Sequence, residues 1–289
     1  MRPVVERLTQ NGHNVVVLTA EGSLSIDSGD LYTTKTFSCP YSKEDLVSSI
    51  ENYGSDHFKP PNFPGVTITM YHLMQKTFKI FREICEALLS NTELMQNLKD
   101  EKFDVVLTDP FTLCGMIVAE HLNVPNVNFL RGMPCTLDYI SAQCPNPFSY
   151  VPRIFTQYSD KMTFAQRVKN VLVRMLEHFY CGHTYLPWLQ MASNFLKKEV
   201  TVVELLSRTS IWLLRYDFVF EFPRPVMPNM VFIGGINCKP GKHLPRIMTK
   251  LPQIFSQAVL EQAGRGREGT VQRNERNQPT SPAQIHRRA

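Results

Sequence analysis

FDVVLTDPF, at residues 103–111, is the stretch that decides the fold. Val105, Val106 and Leu107 form a short apolar run that contains β-branched residues. The run is too short for a helix, and it lacks the polar alternation of a half-exposed strand. It therefore predicts a buried parallel strand that ends on the carboxylate of Asp109.

The residues that follow this strand predict a β-α-β unit. A helix-like segment covers residues 111–122, and a second apolar run covers residues 126–130. A parallel pair joined by a right-handed crossover places Asp109 at the carboxyl end of its strand, where open α/β sheets bind ligands. Asp109 is therefore a candidate functional residue. An Asp-Pro pair also suits a helix start, with Asp109 as N-cap and Pro110 in the first turn, and these residues leave both interpretations open.

Composition limits the classes of function. The 289 residues are 43% hydrophobic and 20% charged, with a formal net charge of +5, which allows one large domain or two small ones. No basic run is interleaved with aromatic residues, so nucleic acid is not an expected partner. The sequence shows no signal peptide at residues 1–7 and no apolar run of the roughly 18 residues that a transmembrane helix needs.

The cysteines show neither a CxxC pair nor the spacing of metal ligands. This distribution predicts buried or free thiols and no metal site. The seven positions are Cys39, Cys85, Cys114, Cys135, Cys144, Cys181 and Cys238.

Apolar strands and amphipathic helices alternate along the chain, which predicts an α/β fold. Prolines and glycines at 54–65 predict a loop, and Pro187 is expected to open a helix. The further predicted strands are a fully buried one at 15–18, an edge strand at 31–38, and two at 211–214 and 231–233. The further predicted helices are 3–11, one opened by Ser42 and Asp45, one with an apolar stripe over 70–88, one opened by a capping box at 90–93, and short ones from 187 and 201.

A basic amphipathic helix is predicted after Thr163, whose side chain forms a capping box with Gln166. This pattern is typical of a helix that lies on a membrane surface. It is more commonly found in a helix that covers the sheet of its own domain. The apolar side is Phe164, Val168, Val171, Leu172, Met175, Leu176 and Phe179. The polar side is Arg167, Lys169, Arg174 and Glu177.

The chain changes character after Cys238. Residues 239–263 have the apolar spacing of one amphipathic helix. Residues 264–289 hold six arginines and almost no apolar side chains, which predicts a disordered basic tail because little surface could be buried on ordering.

Five motifs resemble the vertebrate UDP-glucuronosyltransferases, and most closely the subfamily whose members share one carboxyl-terminal half. The motifs are NGHNVVVL at 11–18, FDVVLTDPF at 103–111, CPNPFSYVP at 144–152, MTF at 162–164 with RVKN at 167–170, and PRPVMPNMVFIGGINC at 223–238. The likeness covers residues 1–238, and the last of these motifs is highly specific.

The resemblance implies one lobe of a two-lobed GT-B glycosyltransferase. In that family an amino-terminal Rossmann-like lobe, here residues 1–238, holds a small lipophilic acceptor, and a carboxyl-terminal lobe holds the donor, UDP-glucuronic acid. The family uses no cofactor. A histidine at the end of its first strand is the general base on the acceptor hydroxyl, and Asp109 corresponds to the aspartate that orients this histidine. A buried carboxylate fixes the imidazole tautomer and stabilises the cation that forms.

The sequence departs from the family pattern at both ends, and these departures limit the function that we expect. The family's Ser-His-Trp-Leu segment falls before the residues matching Met1, so the first strand and the catalytic histidine are expected to be missing. The resemblance stops after Cys238, so the donor lobe is expected to be missing as well. His13 precedes a strand and His72 lies off an apolar stripe, so neither is expected to pair with Asp109. We expect a transferase lobe that is inactive alone. The alternative is a non-catalytic isoform that binds aglycone or docks on full-length enzymes. The family also implies the endoplasmic reticulum membrane and oligomers with other members.

Overall fold

The computed structural model describes residues 1–23, 31–57, 65–130, 132–153, 156, 158–215, 221–236 and 238, with the backbone alone for 50, 53–57 and 65–70. The chain divides after Asn237 into two units, and the elements below belong to the first. The helix predicted at 239–263 and the tail predicted at 264–289 lie outside the described residues.

Strands and helices alternate through the described part of the chain. The strands are β1 (Val16–Ala20), β2 (Thr33–Phe37), β3 (Val106–Thr108), β4 (Asn126–Leu130), β5 (Thr209–Leu214) and β6 (Met230–Phe232). The helices are α1 (Arg2–Gln10), α2 (Lys43–His57), α3 (Gly65–Ser90), α4 (Thr92–Asp100), α5 (Cys114–Leu122), α6 (Leu137–Ser141, after a 3-10 turn at Pro134–Thr136), α7 (Phe164–Leu196) and α8 (Val202–Ser207).

Every strand pair is parallel, which confirms the predicted α/β class with helices flanking parallel strands. One sheet pairs β1 with β2, and the other has the order β3-β4-β5-β6. The unit β3-α5-β4 is the predicted β-α-β unit. The strands form two sheets because no ladder between described residues joins β1 to β3.

One face of the four-stranded sheet is covered along all of its described length, whereas the other is covered at Phe129 and open at its edge. The covered face presents Asn126, Asn128, Leu130, Trp212, Leu214 and Met230, all buried. On the other face Ile211 and Val231 are 41% and 45% exposed. The prediction of fully buried strands at 15–18 and 103–111 is wrong, since β1 and β3 are half-buried and Val105 is 48% exposed. Each of these strands has only one described neighbour, which leaves one side less covered.

Several helix boundaries differ from the prediction. Helix α2 continues to His57 and α3 begins at Gly65, so the loop predicted at 54–65 can occupy only residues 58–64, outside the described residues. The side chain of Asn91 caps α4 by accepting from the N–H of Leu94 at 3.0 Å.

Pro187 lies inside α7 and does not open a helix. A proline in a helix interior removes one backbone hydrogen bond. Tyr185 and Trp188, on either side of it, are 2% and 1% exposed, and their burial holds the helix across this position. Within the described residues, none of the helices has the length and apolar content needed to cross a bilayer.

Four of the cysteines form disulfides, so the prediction of thiols is wrong for them. Cys85–Cys114 joins α3 to α5, and Cys135–Cys181 joins the 3-10 turn to α7. Cys39, Cys144 and Cys238 are free thiols, as predicted. The paired residues lie 29 and 46 positions apart, and only the tertiary fold brings them together.

Candidate functional site

Asp109 lies immediately after β3, at the carboxyl end of the strand, and is half-buried. Its Oδ1 accepts a hydrogen bond from the backbone N–H of Phe111 at 3.0 Å. This is a turn contact rather than a helix cap, because α5 begins at Cys114 with Leu113 as its N-cap. The helix predicted from residue 111 therefore starts later, and the N-cap interpretation of Asp109 is wrong. The position at a strand's carboxyl end is as predicted.

A glycine fixes how closely α5 approaches the strand that carries Asp109. A Cβ atom added to Gly115 would lie 1.9 Å from Oγ1 and 2.4 Å from Cβ of Thr108. Only a residue without a side chain allows this approach. The loop between Thr108 and Gly115 is consequently held at both ends. The sequence signal for this contact is a glycine in the first turn of a helix.

The same loop is tied to a second helix by the Cys85–Cys114 disulfide. Cys85 lies on α3 and is 1% exposed, and Cys114 is the first residue of α5. The disulfide therefore holds the residues that follow Asp109 against α3.

An aromatic cluster begins at Phe111, whose backbone N–H donates to Asp109. The ring of Phe111 lies 5.1 Å from that of Phe78 and 6.4 Å from that of Phe81, between ring centroids. Phe78 in turn meets Tyr185 of α7 edge-on at 5.3 Å. Such geometry is favourable for aromatic pairs, so an apolar cluster begins at the residue two positions after Asp109.

Phe78 also lines an open cleft of about 400 Å³ between α3 and α7. Pro187 and Trp188 supply further apolar lining, and the Nε1 of Trp188 has no hydrogen-bond partner among the described residues. The polar lining is Gln75, Lys76, Lys79, Arg82 and Thr184. The cleft thus has an apolar floor with cationic groups around it, and Phe78 connects it to the Asp109 loop.

The two histidines considered from the sequence lie where they were expected. His13 is exposed and precedes β1. His72 is exposed on α3, with its ring 5.5 Å from that of Tyr71. The described residues contain no group of three His, Cys, Asp or Glu side chains suited to a metal ion.

A buried polar network joins the proline-rich crossing to α7. Arg153 and Glu177 form an ion pair with side chains 1% and 6% exposed, and Arg153 also donates to Oγ1 of Thr136 at 3.1 Å. The prediction that Glu177 lies on the polar outer side of the helix is wrong. The sequence signal for its burial is that it is the only acidic residue between 161 and 183.

Asp138 is a second buried charge that the sequence did not indicate. Its Oδ1 has no hydrogen-bond partner among the described residues. Burial raises the pKa of the Asp138 carboxyl to about 6, and the positive charge of Arg224 opposes this shift. The Arg224 guanidinium also lies 5.2 Å above the ring centre of Tyr139.

Comparison with known proteins connects this geometry to a family. The family described as "UDP-glucoronosyl and UDP-glucosyl transferase" matches residues 1–258. The chain belongs to this family. The match continues beyond Cys238, the residue at which the resemblance read from the sequence ends.

Curated UDP-glucuronosyltransferases are similar to the chain over most of its length. UDP-glucuronosyltransferase 1A1 of Homo sapiens is 47% identical over 238 residues, covering 82% of this chain and 45% of the relative. UDP-glucuronosyltransferase 1A1 of Mus musculus is 46% identical, covering 84% and 46%. UDP-glucuronosyltransferase 1A6 of Homo sapiens is 42% identical, also covering 84% and 46%. The chain spans about half the length of these relatives.

One solved structure is also similar. It is a complex of a UDP-glucosyltransferase from Polygonum tinctorium, capable of glucosylating indoxyl, with 3,4-dichloroaniline. The likeness covers 83% of this chain and 57% of that one, with 12% identity and a TM-score of 0.29. This score is too low to support a fold assignment, which rests on the parallel strands and their order.

Proposed function

We propose that residues 1–238 form the acceptor-binding lobe of a GT-B UDP-glucuronosyltransferase, with a small lipophilic hydroxyl compound as acceptor. The observation that carries the proposal is the position of Asp109. By the resemblance it corresponds to the family's histidine-orienting aspartate, and it lies at the carboxyl end of parallel strand β3, two residues before Phe111, whose ring packs against that of Phe78. The family's polar group and an apolar wall for the acceptor are thus adjacent.

The proposed reaction needs one base and one leaving group. The acceptor oxygen bonds to the anomeric carbon of glucuronic acid, the bond from that carbon to the diphosphate breaks, and UDP leaves. The acceptor proton passes to the family's histidine, which the resemblance places in the segment before the residues matching Met1; Asp109 orients this histidine and stabilises its cationic form. Asp109 therefore acts as a positioning residue. Since the chain spans about half of its relatives, we assign donor recognition to the half that the match does not cover.

The disulfides support a location for this lobe. Cys85, Cys135 and Cys181 are buried and oxidised. Such bonds persist in oxidising compartments and are rare in the cytosol. We propose that residues 1–238 lie in the lumen of the endoplasmic reticulum, at its membrane.

Acceptor binding by the purified chain tests the proposal. Equilibrium dialysis with 1-naphthol should show saturable binding that weakens in Phe111→Leu, which retains an apolar side chain and removes the ring contacts with Phe78 and Phe81. Phe164→Leu is the matched control, because Phe164 is 82% exposed on α7. Binding that is absent, or that is equally strong in Phe111→Leu and the parent, would contradict the placement of the acceptor beside Asp109.

A further inference from the structure

The first half of α7 turns its apolar side outward. Residues follow one another at about 100° around a helix. We define the apolar face of α7 as seven side chains that fall within one arc of about 140° on this spacing. They are Phe164 (82% exposed), Val168 (44%), Val171 (42%), Leu172 (55%), Met175 (60%), Leu176 (67%) and Phe179 (75%). The prediction that this side covers the sheet of its own domain is therefore wrong.

Polar side chains hold the opposite side of α7 in the interior. Asn170 is fully buried and donates to the carbonyls of Phe148 and Val151, both at 2.9 Å, while accepting from the N–H of Arg153 at 2.8 Å. Glu177, two turns further on, is 5% exposed and pairs with Arg153. Rotating the helix to bury the apolar face would expose these groups and break their hydrogen bonds. The outward direction of the apolar face is thus fixed by the fold.

The exposed charges that α7 itself carries beside the apolar face are positive. Arg167 and Arg174 lie along one edge of the arc and Lys169 lies along the other, from the same helical spacing. Between residues 161 and 183 the only acidic residue is Glu177, whose charge is buried against Arg153. The exposed part of this segment therefore presents large apolar side chains bordered by positive charge alone.

We propose that the apolar face of α7 is a docking surface for a lipid bilayer with anionic headgroups. Its side chains would enter the interfacial layer, and Arg167, Lys169 and Arg174 would lie at the level of the headgroups, as in amphipathic helices that bind in the plane of a membrane. The pattern of charge favours this occupant over a second copy of the chain. A symmetric pairing of two such faces would bring together edges of the same positive sign, and like charges across an interface disfavour association.

Vesicle co-sedimentation of the full chain tests the proposal. The vesicles contain either phosphatidylcholine alone or an equal mixture with phosphatidylserine. The parent should bind the mixed vesicles more strongly. The triple variant Leu172→Gln, Leu176→Gln, Phe179→Gln should lose roughly tenfold or more of this binding, because three large apolar side chains no longer leave water. The basic segment 264–289 is unchanged in every variant, so its own attraction to anionic lipid cancels from the comparison.

A matched control removes the same number of exposed apolar side chains elsewhere. Leu31→Gln, Phe222→Gln, Val226→Gln changes side chains that are 49%, 38% and 40% exposed in loops, and it should bind vesicles like the parent. For the charges, Lys169→Gln should weaken binding to mixed vesicles about fivefold. Lys79→Gln, at a side chain 66% exposed on α3, should not.

A tryptophan placed on the apolar face reports contact with lipid directly, so this result does not depend on how well the triple variant folds. Phe179→Trp places an indole on the apolar face, whereas the native Trp188 and Trp212 are buried. Its emission should shift to the blue on mixed vesicles and be quenched by brominated lipid. The proposal is overturned if the emission does not change, or if the triple variant binds like the parent. It is also overturned if the parent forms a dimer that the triple variant dissociates while neither binds lipid.

Discussion

Replacing Gly115 by alanine should destabilise the protein at the point where α5 meets the strand of Asp109. The new methyl group would lie 1.9 Å from Oγ1 and 2.4 Å from Cβ of Thr108. A change of the Thr108 rotamer moves Oγ1 but leaves the Cβ atom in place, so the clash can be relieved only by separating α5 from β3. Such overpacking costs about 1–3 kcal/mol.

Gly182→Ala is the matched control, because Gly182 is also in a helix and its added Cβ would meet no atom within 4 Å. Both substitutions gain up to about 1 kcal/mol from the better helix propensity of alanine. The difference between the two variants therefore reports mainly the packing cost at Gly115. Gly182→Ala should be more stable than the parent, and Gly115→Ala should be less stable than Gly182→Ala by about 1–3 kcal/mol.

Urea unfolding followed by tryptophan fluorescence measures these free energies, since Trp188 and Trp212 are each 1% exposed and both become exposed on unfolding. Equal stability of the two variants would refute the close contact between α5 and β3. It would also remove the reason for regarding the Asp109 loop as fixed at both ends.

Three further changes probe the interior. Replacing both Cys85 and Cys114 by alanine should lower the free energy of unfolding by about 3.6 kcal/mol, from closure of a 29-residue loop, whereas Cys39→Ala should have little effect in the same urea assay. Glu177→Gln leaves buried Arg153 without its charge partner and should lower the free energy of unfolding by about 3–5 kcal/mol. A decrease of less than about 1 kcal/mol would contradict the burial of this ion pair. In the folded protein the pKa of the Asp138 carboxyl is raised from 3.8 to about 6. Its contribution to the free energy of unfolding, roughly 3 kcal/mol, is therefore present below pH 4 and is lost as the pH rises to about 6. Urea unfolding across this range should therefore show a flatter pH dependence for Asp138→Asn than for the parent, and identical slopes would count against the burial of this charge.

Local patterns predicted the parts of the fold that depend on neighbouring residues. The apolar runs at 126–130 and 211–214 are strands, and their parallel pairing follows from the helices between them. The capping boxes of Thr163 and Thr201 begin α7 and α8 as predicted, because the hydrogen bonds of a cap involve residues only three positions apart. The position of Asp109 at a strand's carboxyl end has the same local origin.

Features that depend on distant residues were not predictable in this way. The pairing of Cys85 with Cys114 requires α3 to lie beside α5, and spacing along the chain does not contain that information. The periodicity of α7 showed that an apolar side exists, but not whether protein covers it. The buried pair of Arg153 and Glu177 decides that question by turning the polar side inward. Burial of Asp138 likewise follows from tertiary packing.

The transfer of glucuronic acid by a chimera tests the central claim most directly. Residues 1–236 would replace the matching segment of human UDP-glucuronosyltransferase 1A1, which is 47% identical to this chain. With UDP-glucuronic acid and 1-naphthol, the chimera should form the glucuronide. Asp109→Asn should slow this reaction by about 100- to 10,000-fold, because an amide supports the general base poorly. Asp104→Asn, at an exposed carboxylate before the same strand, should leave the rate unchanged. A folded chimera that transfers equally fast with Asp109→Asn as without it would contradict the account.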